Sequence, residues 1–293
     1  MDRRFFLKSH MAFGLTYITS GGLFSERLLA NTIEKDLFEY KQLRFSFALK
    51  NSSNLELHNQ SLWIYMPANS SKQQLKNLKA SIDYDLETDA LNQSYMKFEF
   101  PKIGPLSTKL INVTAQVSKL RNTKLDPIEP LTWLKSDPLI ESSNAQIKLL
   151  AQQLKQADDA STCHAIYKWV SENIVYSGYI ADDLGALYAL NQLKGDCTEY
   201  ACLAVALARA NGIPSRMVGG YVSDKDAVIQ AKDYHHWAEV YLDGHWSLLD
   251  AQKKNWLDMD ADYIAFNYYQ TKHQTPIEAG ARYKLSQNLT LIY

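Results

Sequence analysis

The sequence predicts an α+β protein in which an all-β sandwich precedes a helix-rich half that ends in a β-hairpin. Three observations indicate this division. Apolar and polar residues alternate in five short runs between Leu43 and Leu120. Helical periodicity replaces the alternation from Asn144 to Ala210. Two strand-like runs then flank Asp243-Gly244, which is a strong signal for a two-residue hairpin loop.

The N-terminal runs are separated by turns rich in Asn, Ser, Pro and Gly, which is typical of an antiparallel, immunoglobulin-like sandwich. We assign this domain to residues 31–125. None of its strands carries a cluster of His, Asp or Cys, so a structural or substrate-presenting role is favoured. The runs are Arg44–Leu49, Ser61–Met66, Leu78–Tyr84, Tyr95–Phe100 and Lys109–Val117.

The segment 126–142 contains Asp126-Pro127, Pro130 and Asp137-Pro138, which interrupt regular helix and predict a linker. Residues 143–293 then form the second domain. Its predicted helices cover residues 144–156, 158–174, 184–193 and 197–210, and a strand follows over 213–222. The Tyr-rich stretch from Trp256 to Tyr293 ends in a strand-like run that either extends a sheet or covers the cleft.

Composition and charge narrow the possible functions. The chain has 293 residues, 46% hydrophobic and 22% charged, as an ordinary globular protein does. A formal net charge of -1 argues against nucleic acid as the main partner, which calls for a basic face. The sequence contains no run of about 18 apolar residues, so no transmembrane helix is expected.

The first thirty residues resemble a twin-arginine export signal. Arg3-Arg4 precede Phe5-Phe6-Leu7-Lys8 and a weakly apolar segment that continues to Phe24. An amphipathic first helix is the alternative. If the signal is used, residues 1–30 do not belong to the fold, the partner during export is the twin-arginine translocase, and the protein is periplasmic or secreted.

The three cysteines differ in their surroundings. Cys163 and Cys202 lie in apolar helical runs, so we favour buried core thiols over a disulfide between them. Cys197 lies in the first turn of the helix 197–210, where unpaired backbone amides are expected to lower a thiol pKa. Asp196 and Glu199 are expected to cap that helix rather than take part in chemistry.

The hairpin brings a histidine beside an aspartate. If Asp243-Gly244 is the whole loop, Leu242 pairs with His245, and side chains alternate between the two faces of the strands. His235, Trp237, Asp250 and Gln252 then share one face, and His235 and Asp250 become diagonal neighbours. A register slip of one residue would select His236 instead. The sequence therefore predicts a Cys, a His and an Asp arranged as nucleophile, base and orienting acid.

Three segments resemble the transglutaminase-like superfamily, in the order that the family has them: GDCTEYACLAVALARANGIPSRMVGGYV, HHWAEVYLDGHW and LLDAQ. The resemblance covers roughly residues 144–252 and implies a papain-like α+β core, with the catalytic helix packed on an antiparallel sheet. It implies that Cys197 is the nucleophile, His235 the base and Asp250 the orienting residue. Ala251-Gln252 replace the Pro-Thr that more commonly follows the aspartate, which affects local geometry more than chemistry.

These residues predict an exported cysteine enzyme that acts on amide bonds of peptides, proteins or peptidoglycan through a thioester acyl-enzyme, with hydrolysis favoured. A cross-linking transglutaminase with an amine acceptor is one alternative. A non-catalytic binding module that reuses the fold is another. Since acyl transfer by a thiol needs no cofactor or metal, we expect neither. His235, His236 and His245 also lack the spacing of metal ligands.

The oxyanion donors are less well defined. The backbone amide of Cys197 is a natural candidate because it lies at a helix N-terminus. Tyr179 and Gln192 are candidate side-chain donors from the segment that precedes the helix. Trp237 is expected either to form a wall of the cleft or to pack in the core.

Overall fold

A computed structural model describes residues 38–120, 130–257, 260–272 and 275–292. The predicted export signal, residues 1–30, lies outside the described residues. Within the described ranges, no helix is both long and apolar enough to cross a membrane.

Six strands follow one another in the N-terminal half. They are β1 (Phe38–Asn51), β2 (Leu57–Tyr65), β3 (Gln73–Ala80), β4 (Asp85–Thr88), β5 (Ser94–Ile103) and β6 (Thr108–Leu120). The strand predicted over Leu78–Tyr84 is wrong in its bounds, because β3 ends at Ala80 and the chain turns before β4 begins. Asn77 has a φ of 45°, and the register of β3 against β6 shifts between Lys76 and Lys79. This irregularity displaces the strand from the position that its alternation suggested.

Three later strands join those of the N-terminal half: β10 (Ala227–Val228), β15 (Tyr283–Leu285) and β16 (Leu289–Ile292). One sheet has the order β10-β1-β6-β3, with β16 also paired to β1, and the other has the order β15-β2-β5-β4. The C-terminal end of the stretch predicted as the second domain, 143–293, therefore lies in the N-terminal sheets. Of the two roles left open for this tail, sheet extension is the one observed.

The two N-terminal sheets pack face to face through a single apolar cluster. Alternate residues of β1 point inward, from Leu43 to Leu49, and all four are at most 3% exposed. Leu62 and Phe98 meet them from the other sheet and are fully buried. Period-two alternation in the sequence thus corresponds to one buried face on each sheet.

Four helices follow the N-terminal strands: α1 (Ala145–Leu154), α2 (Asp159–Asn173), α3 (Gly185–Gln192) and α4 (Cys197–Ala210). Asn144 and Asp158 cap the first two, since their side chains accept hydrogen bonds from backbone N–H groups of the first turn. Every residue of α4 from Thr198 to Arg209 is buried, so α4 is the central helix.

Helix α4 packs on a further sheet, separate from the two N-terminal ones and antiparallel, as expected from the resemblance. The sheet has the order β13-β12-β11-β9-β14, and its neighbouring strands are antiparallel. Ala238 and Val240 of one face lie in the same apolar cluster as the helix, together with Met217. The strands are β9 (Ser215–Val222), β11 (Tyr234–Leu242), β12 (His245–Asp250), β13 (Asn255–Trp256) and β14 (Tyr263–Tyr268). A two-stranded parallel sheet, β7 (Val175–Tyr176) with β8 (Lys194–Gly195), precedes α4.

The described part of the predicted linker is packed against the helical half. Trp133, in a 3₁₀ segment over Pro130–Leu134, is 2% exposed. Asp137 forms a buried ion pair with Arg209 of α4 at 2.9 Å. Burial of both charges is tolerated because each is paired and hydrogen-bonded.

Candidate active site

The start of α4 carries two buried carboxylates as well as a cysteine. The Oδ1 of Asp196 accepts from the Thr198 N–H at 2.8 Å, and the Oε2 of Glu199 accepts from the Asp196 N–H at 3.0 Å. This reciprocal capping box confirms the predicted role of both acids. Gly195 is needed just before it, because a Cβ there would lie 2.3 Å from the Cβ of Glu199.

The expected effect of the helix N-terminus on Cys197 is wrong in sign. Burial, with further contributions from Asp196, Asp250 and Glu199, raises the pKa of the Cys197 thiol to about 12. The backbone N–H of His236 offsets only part of this rise. The physical reason is that burial disfavours the charged thiolate, and the nearby carboxylates add like charge that the helix N-terminus does not offset. A thiolate at Cys197 therefore needs a cation beside it.

The hairpin has the predicted register. Leu242 pairs with His245 and Ala238 with Leu249. Asp243 and Gly244 have φ values of 51° and 84°. Positive φ at both residues is typical of the two-residue hairpin loop whose twist matches that of the strands. His235 therefore lies on the face of Asp250, as expected.

His235 and Asp250 form a buried pair, with Nε2 of the imidazole 2.6 Å from Oδ2 of the carboxylate. Their side chains are 7% and 1% exposed. Because the carboxylate accepts the Nε2 proton, Nδ1 is the ring nitrogen that remains for exchange with another group. The pair thus fixes one tautomer of the imidazole.

Asp250 has two further donors. The hydroxyl of Tyr263, on β14, donates to the same Oδ2 at 2.8 Å, and the backbone N–H of Lys253 donates to Oδ1 at 3.0 Å. The sequence did not point to Tyr263, because it begins an apolar, Tyr-rich strand in which every residue is buried. Only the approach of β14 to the end of β12 distinguishes it from its tyrosine neighbours.

His236 has a structural position. Its Nδ1 lies 3.0 Å from the Oγ1 of Thr198, which joins β11 to the first turn of α4. Burial, followed by the neighbouring His235, lowers the pKa of His236 to about 4, so this ring is neutral near pH 7. The pairing of β11 with β12 ends at Ala238 and Leu249, and beyond it the backbone N–H of His236 hydrogen-bonds to the sulfur of Cys197. The thiol is thus held beside the end of this ladder.

Cys197 and His235 line one open cleft of about 400 Å³. The polar segment between β9 and β11 forms a wall of it, and Gln252 and Lys253 contribute from the end of the hairpin. This wall is tied to the N-terminal half, because β10 pairs with β1 and the Ile229 N–H donates to Arg44 at 2.8 Å. Tyr176 completes the lining from β7.

The three remaining candidate residues, Trp237, Tyr179 and Gln192, lie in different places. Trp237 is 1% exposed and belongs to a core cluster, and its ring stacks on His235 with centroids 6.2 Å apart. Its Nε1 is buried without a hydrogen-bond partner. Tyr179 is 82% exposed, and Gln192 is the exposed last residue of α3. Tyr176, rather than Tyr179, lines the cleft beside Cys197.

The remaining cysteines are core thiols. Cys163 and Cys202 are both 0% exposed and unbridged, and Cys202 contacts the sulfur of Met217. The preference for buried thiols over a disulfide is confirmed. Across the described part of the chain, no three His, Cys, Asp or Glu side chains are grouped so as to hold a metal ion.

Known proteins resemble this chain both in sequence and in fold. Residues 148–261 match the sequence profile of the transglutaminase-like superfamily. An uncharacterized protein of Mycobacterium leprae is 30% identical over 88 residues, which is 28% of this chain and 32% of that protein. The chain thus matches about a third of that relative's length.

A solved structure shares the fold over most of the chain. A candidate cysteine protease from Cytophaga hutchinsonii superposes with a TM-score of 0.62 at 17% identity, over 88% of this chain and 90% of that one. The periplasmic domain of TgpA from Pseudomonas aeruginosa has a TM-score of 0.42 at 16% identity, over 71% of this chain and 88% of that one. The profile match spans the helix of Cys197 and the hairpin of His235 and Asp250. Residues 148–261, which hold these elements, are therefore similar in sequence to the core domain of the transglutaminase-like superfamily.

Proposed function

We propose that this protein is an exported cysteine enzyme that transfers acyl groups from amide bonds, with Cys197 as nucleophile, His235 as base and Asp250 as orienting residue. The observation that carries the proposal is the 2.6 Å contact between Asp250 and His235, a histidine that lines the same cleft as Cys197. Nucleophile, base and orienting acid are the three parts that thiol acyl transfer needs.

The tautomer defines the path of the proton. Asp250 holds the proton of Nε2, so Nδ1 of His235 accepts the proton of the Cys197 thiol. The thiolate attacks the amide carbonyl carbon, and the resulting oxyanion receives hydrogen bonds, one of them from the backbone N–H of Cys197. When the C–N bond breaks, the Nδ1 proton passes to the departing amine and a thioester remains. Water then gives a proton to Nδ1 and attacks the thioester carbonyl. The C–S bond breaks, Nδ1 returns the proton to the leaving sulfur, and a carboxylic acid is released.

The charges around Cys197 make His235 essential to this scheme. Burial, and after it the carboxylates of Asp196, Asp250 and Glu199, disfavour an isolated thiolate and raise the pKa of the Cys197 thiol to about 12. The same carboxylates attract a protonated imidazole. Transfer of the proton from sulfur to Nδ1 therefore forms a pair whose cation compensates for the anion. We expect thiol reactivity near neutral pH only while His235 is present.

Water is the proposed acyl acceptor, since the cleft is open and water is abundant. A cross-linking enzyme would follow the same steps with a primary amine in place of water. The proposed substrates are peptides, proteins or the stem peptides of peptidoglycan, on the grounds of the predicted export. Export itself is proposed from Arg3-Arg4 and the segment that follows them. The N-terminal half is proposed to be an immunoglobulin-like sandwich that supports the cleft wall through the pairing of β10 with β1.

The deciding experiment combines two measurements on the full chain without its export signal. Mixtures of peptides and muropeptides are incubated with wild-type protein or Cys197→Ala, with and without a fluorescent primary amine, and masses are measured. Hydrolysis adds the mass of water, and transamidation adds the mass of the amine less ammonia. No mass change in either case, together with iodoacetamide labelling of Cys197 no faster than that of glutathione, selects the binding module.

Two variants test the role of His235 in the reactivity of Cys197, one at His235 and one at a control position. His235→Ala should reduce iodoacetamide labelling at pH 7 by about 100-fold, because loss of the imidazolium leaves a thiol with a raised pKa. Glu172→Gln, at an exposed acid of α2 outside the cleft, should leave the rate unchanged within about twofold. Cys163 and Cys202 remain unlabelled in the folded protein because both are 0% exposed.

A further inference from the structure

We propose that Tyr263 is a positioning residue of the site, that it acts through Asp250, and that the N-terminal sheets hold it in place. The inference rests on the proposed function, since it assigns Tyr263 a role in the reaction of Cys197 and His235. Its starting point is geometric. The Tyr263 hydroxyl and the His235 Nε2 both contact Oδ2 of Asp250, at 2.8 and 2.6 Å.

Two donors on one oxygen fix the carboxylate more firmly than one. His235 approaches from β11 and Tyr263 from β14, while the backbone N–H of Lys253 holds Oδ1 at 3.0 Å. Asp250 is 2% exposed, so water does not replace a lost donor easily. The carboxylate therefore has a single orientation, and its orientation sets the plane of the imidazole.

The hydroxyl of Tyr263 remains a donor at any physiological pH. Burial, followed by the neighbouring Asp250, raises the pKa of Tyr263 well above its ordinary value. The ring also contacts the pair indirectly. It packs edge-on against Trp237 with centroids 5.1 Å apart, and Trp237 stacks on His235. Tyr263 thus supports the imidazole through both its hydroxyl and its ring.

Side chains of the N-terminal sheets hold the backbone of β14, which is an edge strand of the sheet that packs on α4. The ammonium of Lys119, on β6, donates to the carbonyl of Tyr263 at 2.6 Å. Gln73, on β3, makes two bonds to the backbone of Ala265, at 2.8 and 3.0 Å. These hydrogen bonds hold the backbone of Tyr263, which contacts Asp250, and the backbone two residues further along β14.

Lys41 extends this set of contacts to the residues before β14. Its ammonium donates to the carbonyl of Ala261 at 3.0 Å and to Oδ1 of Asp262 at 2.9 Å. Lys41 and Lys119 are 1% and 5% exposed. Burial lowers the pKa of Lys119 to about 8. An ammonium is costly to bury, so its placement on the backbone of Tyr263 indicates that the position of this segment matters.

The test measures the rate at which iodoacetamide labels Cys197 at pH 7 in the folded chain, which requires no known substrate. Tyr263→Phe removes one hydroxyl and keeps the ring. We expect a fall of about threefold to tenfold, the equivalent of one hydrogen bond. In an Asp250→Ala background the same change should have no further effect, because the hydroxyl then has no carboxylate to orient. A merely structural role would lower the rate equally in both backgrounds.

The arm for the N-terminal sheets uses Lys119→Met, with Gln73→Met as a second variant should the first not fold. Each should lower the rate by about twofold to fivefold, and neither should lower it further once Tyr263→Phe is present. Lys97→Met, which breaks an ion pair with Glu99 elsewhere in the N-terminal half, is the matched control and should have no effect.

The outcomes separate the two proposals. Wild-type labelling in Tyr263→Phe, or an equal fall in the Asp250→Ala background, overturns the inference and leaves the proposed function standing. Equal labelling of wild type and His235→Ala overturns the proposed function, and the inference with it. Effects of Tyr263→Phe without effects of Lys119→Met or Gln73→Met overturn the part assigned to the N-terminal sheets.

Discussion

His235 and Asp250 lie on the two strands of one hairpin, and their side chains meet at 2.6 Å beyond the last backbone pair of the ladder, Ala238 with Leu249. The backbone N–H of His236, also beyond that pair, hydrogen-bonds to the sulfur of Cys197. The contact between His235 and Asp250 therefore lies at the end of the ladder, next to the first turn of α4.

Asp250→Asn should reduce peptide hydrolysis, or labelling of Cys197, by about 100-fold. The amide group can donate toward Nε2 and so favour the tautomer with the proton on Nδ1, which cannot accept the thiol proton. The comparison is with Glu172→Gln, an exposed acid outside the cleft, at equal protein concentration and confirmed folding. Activity within threefold of wild type would contradict the orienting role of Asp250.

Gly220→Ala should destabilise the protein by about 3 kcal/mol. A Cβ at Gly220 would lie 2.1 Å from the carbonyl oxygen of Ile264, on the adjacent strand β14, which cannot retreat without losing its pairing. We expect a fall in Tm of roughly 10 °C. Gly104→Ala is the control, because its nearest contact would be 3.8 Å away, and its Tm should stay within about 2 °C of wild type.

His236 should make stability fall as the medium becomes acidic. Because its folded-state pKa is lowered to about 4, the unfolded chain binds more protons below about pH 6.5, and stability is lost as the pH falls from about 6.5 toward 4. The contribution lost between pH 7 and pH 5 is about 2 kcal/mol. Asp196 faces the ring and opposes the shift, whereas Arg282 and His235 reinforce it.

Urea unfolding at pH 7 and pH 5 measures this contribution. In His236→Asn, whose side-chain oxygen can still accept from Thr198, the difference between the two pH values should shrink by about 2 kcal/mol. His58→Asn, at a side chain that is 63% exposed, should leave it unchanged. An undiminished difference in His236→Asn would assign the acid sensitivity to other groups.

Arg209→Met should cost about 3–5 kcal/mol, because it leaves the carboxylate of Asp137 buried without its cation. The double variant Arg209→Met/Asp137→Asn removes both charges and should recover part of this loss. Urea midpoints of the two single variants and the double variant give the coupling between the residues. Additive costs would show that the ion pair does not anchor the segment around Asp137.

The local patterns of the sequence were sufficient for much of the fold. Alternation in Arg44–Leu49 and periodicity in the helices depend only on which side chains avoid water, and the structure has strands and helices there. The loop Asp243-Gly244 was equally decisive, because a two-residue turn with positive φ leaves one register. That register is enough to choose His235 over His236.

Contacts between distant segments are what the sequence did not reveal. Tyr263 resembles the other tyrosines of its stretch, and only the docking of β14 on the N-terminal sheets brings its hydroxyl to Asp250. The pKa of Cys197 has the same origin. The first turn of a helix predicts a lowered value from local geometry, whereas burial and nearby carboxylates raise it.

By itself the sequence determined the elements, the hairpin register and the identity of Cys197, His235 and Asp250 as candidates, because these follow from short-range patterns and from a family resemblance. The tertiary structure alone decided that the C-terminal strands β15 and β16 join the N-terminal sheets, and that Tyr263 shares the carboxylate with His235. The physical reason is that burial and electrostatic fields sum over neighbours that are far apart in the chain, and no local pattern records which neighbours those are.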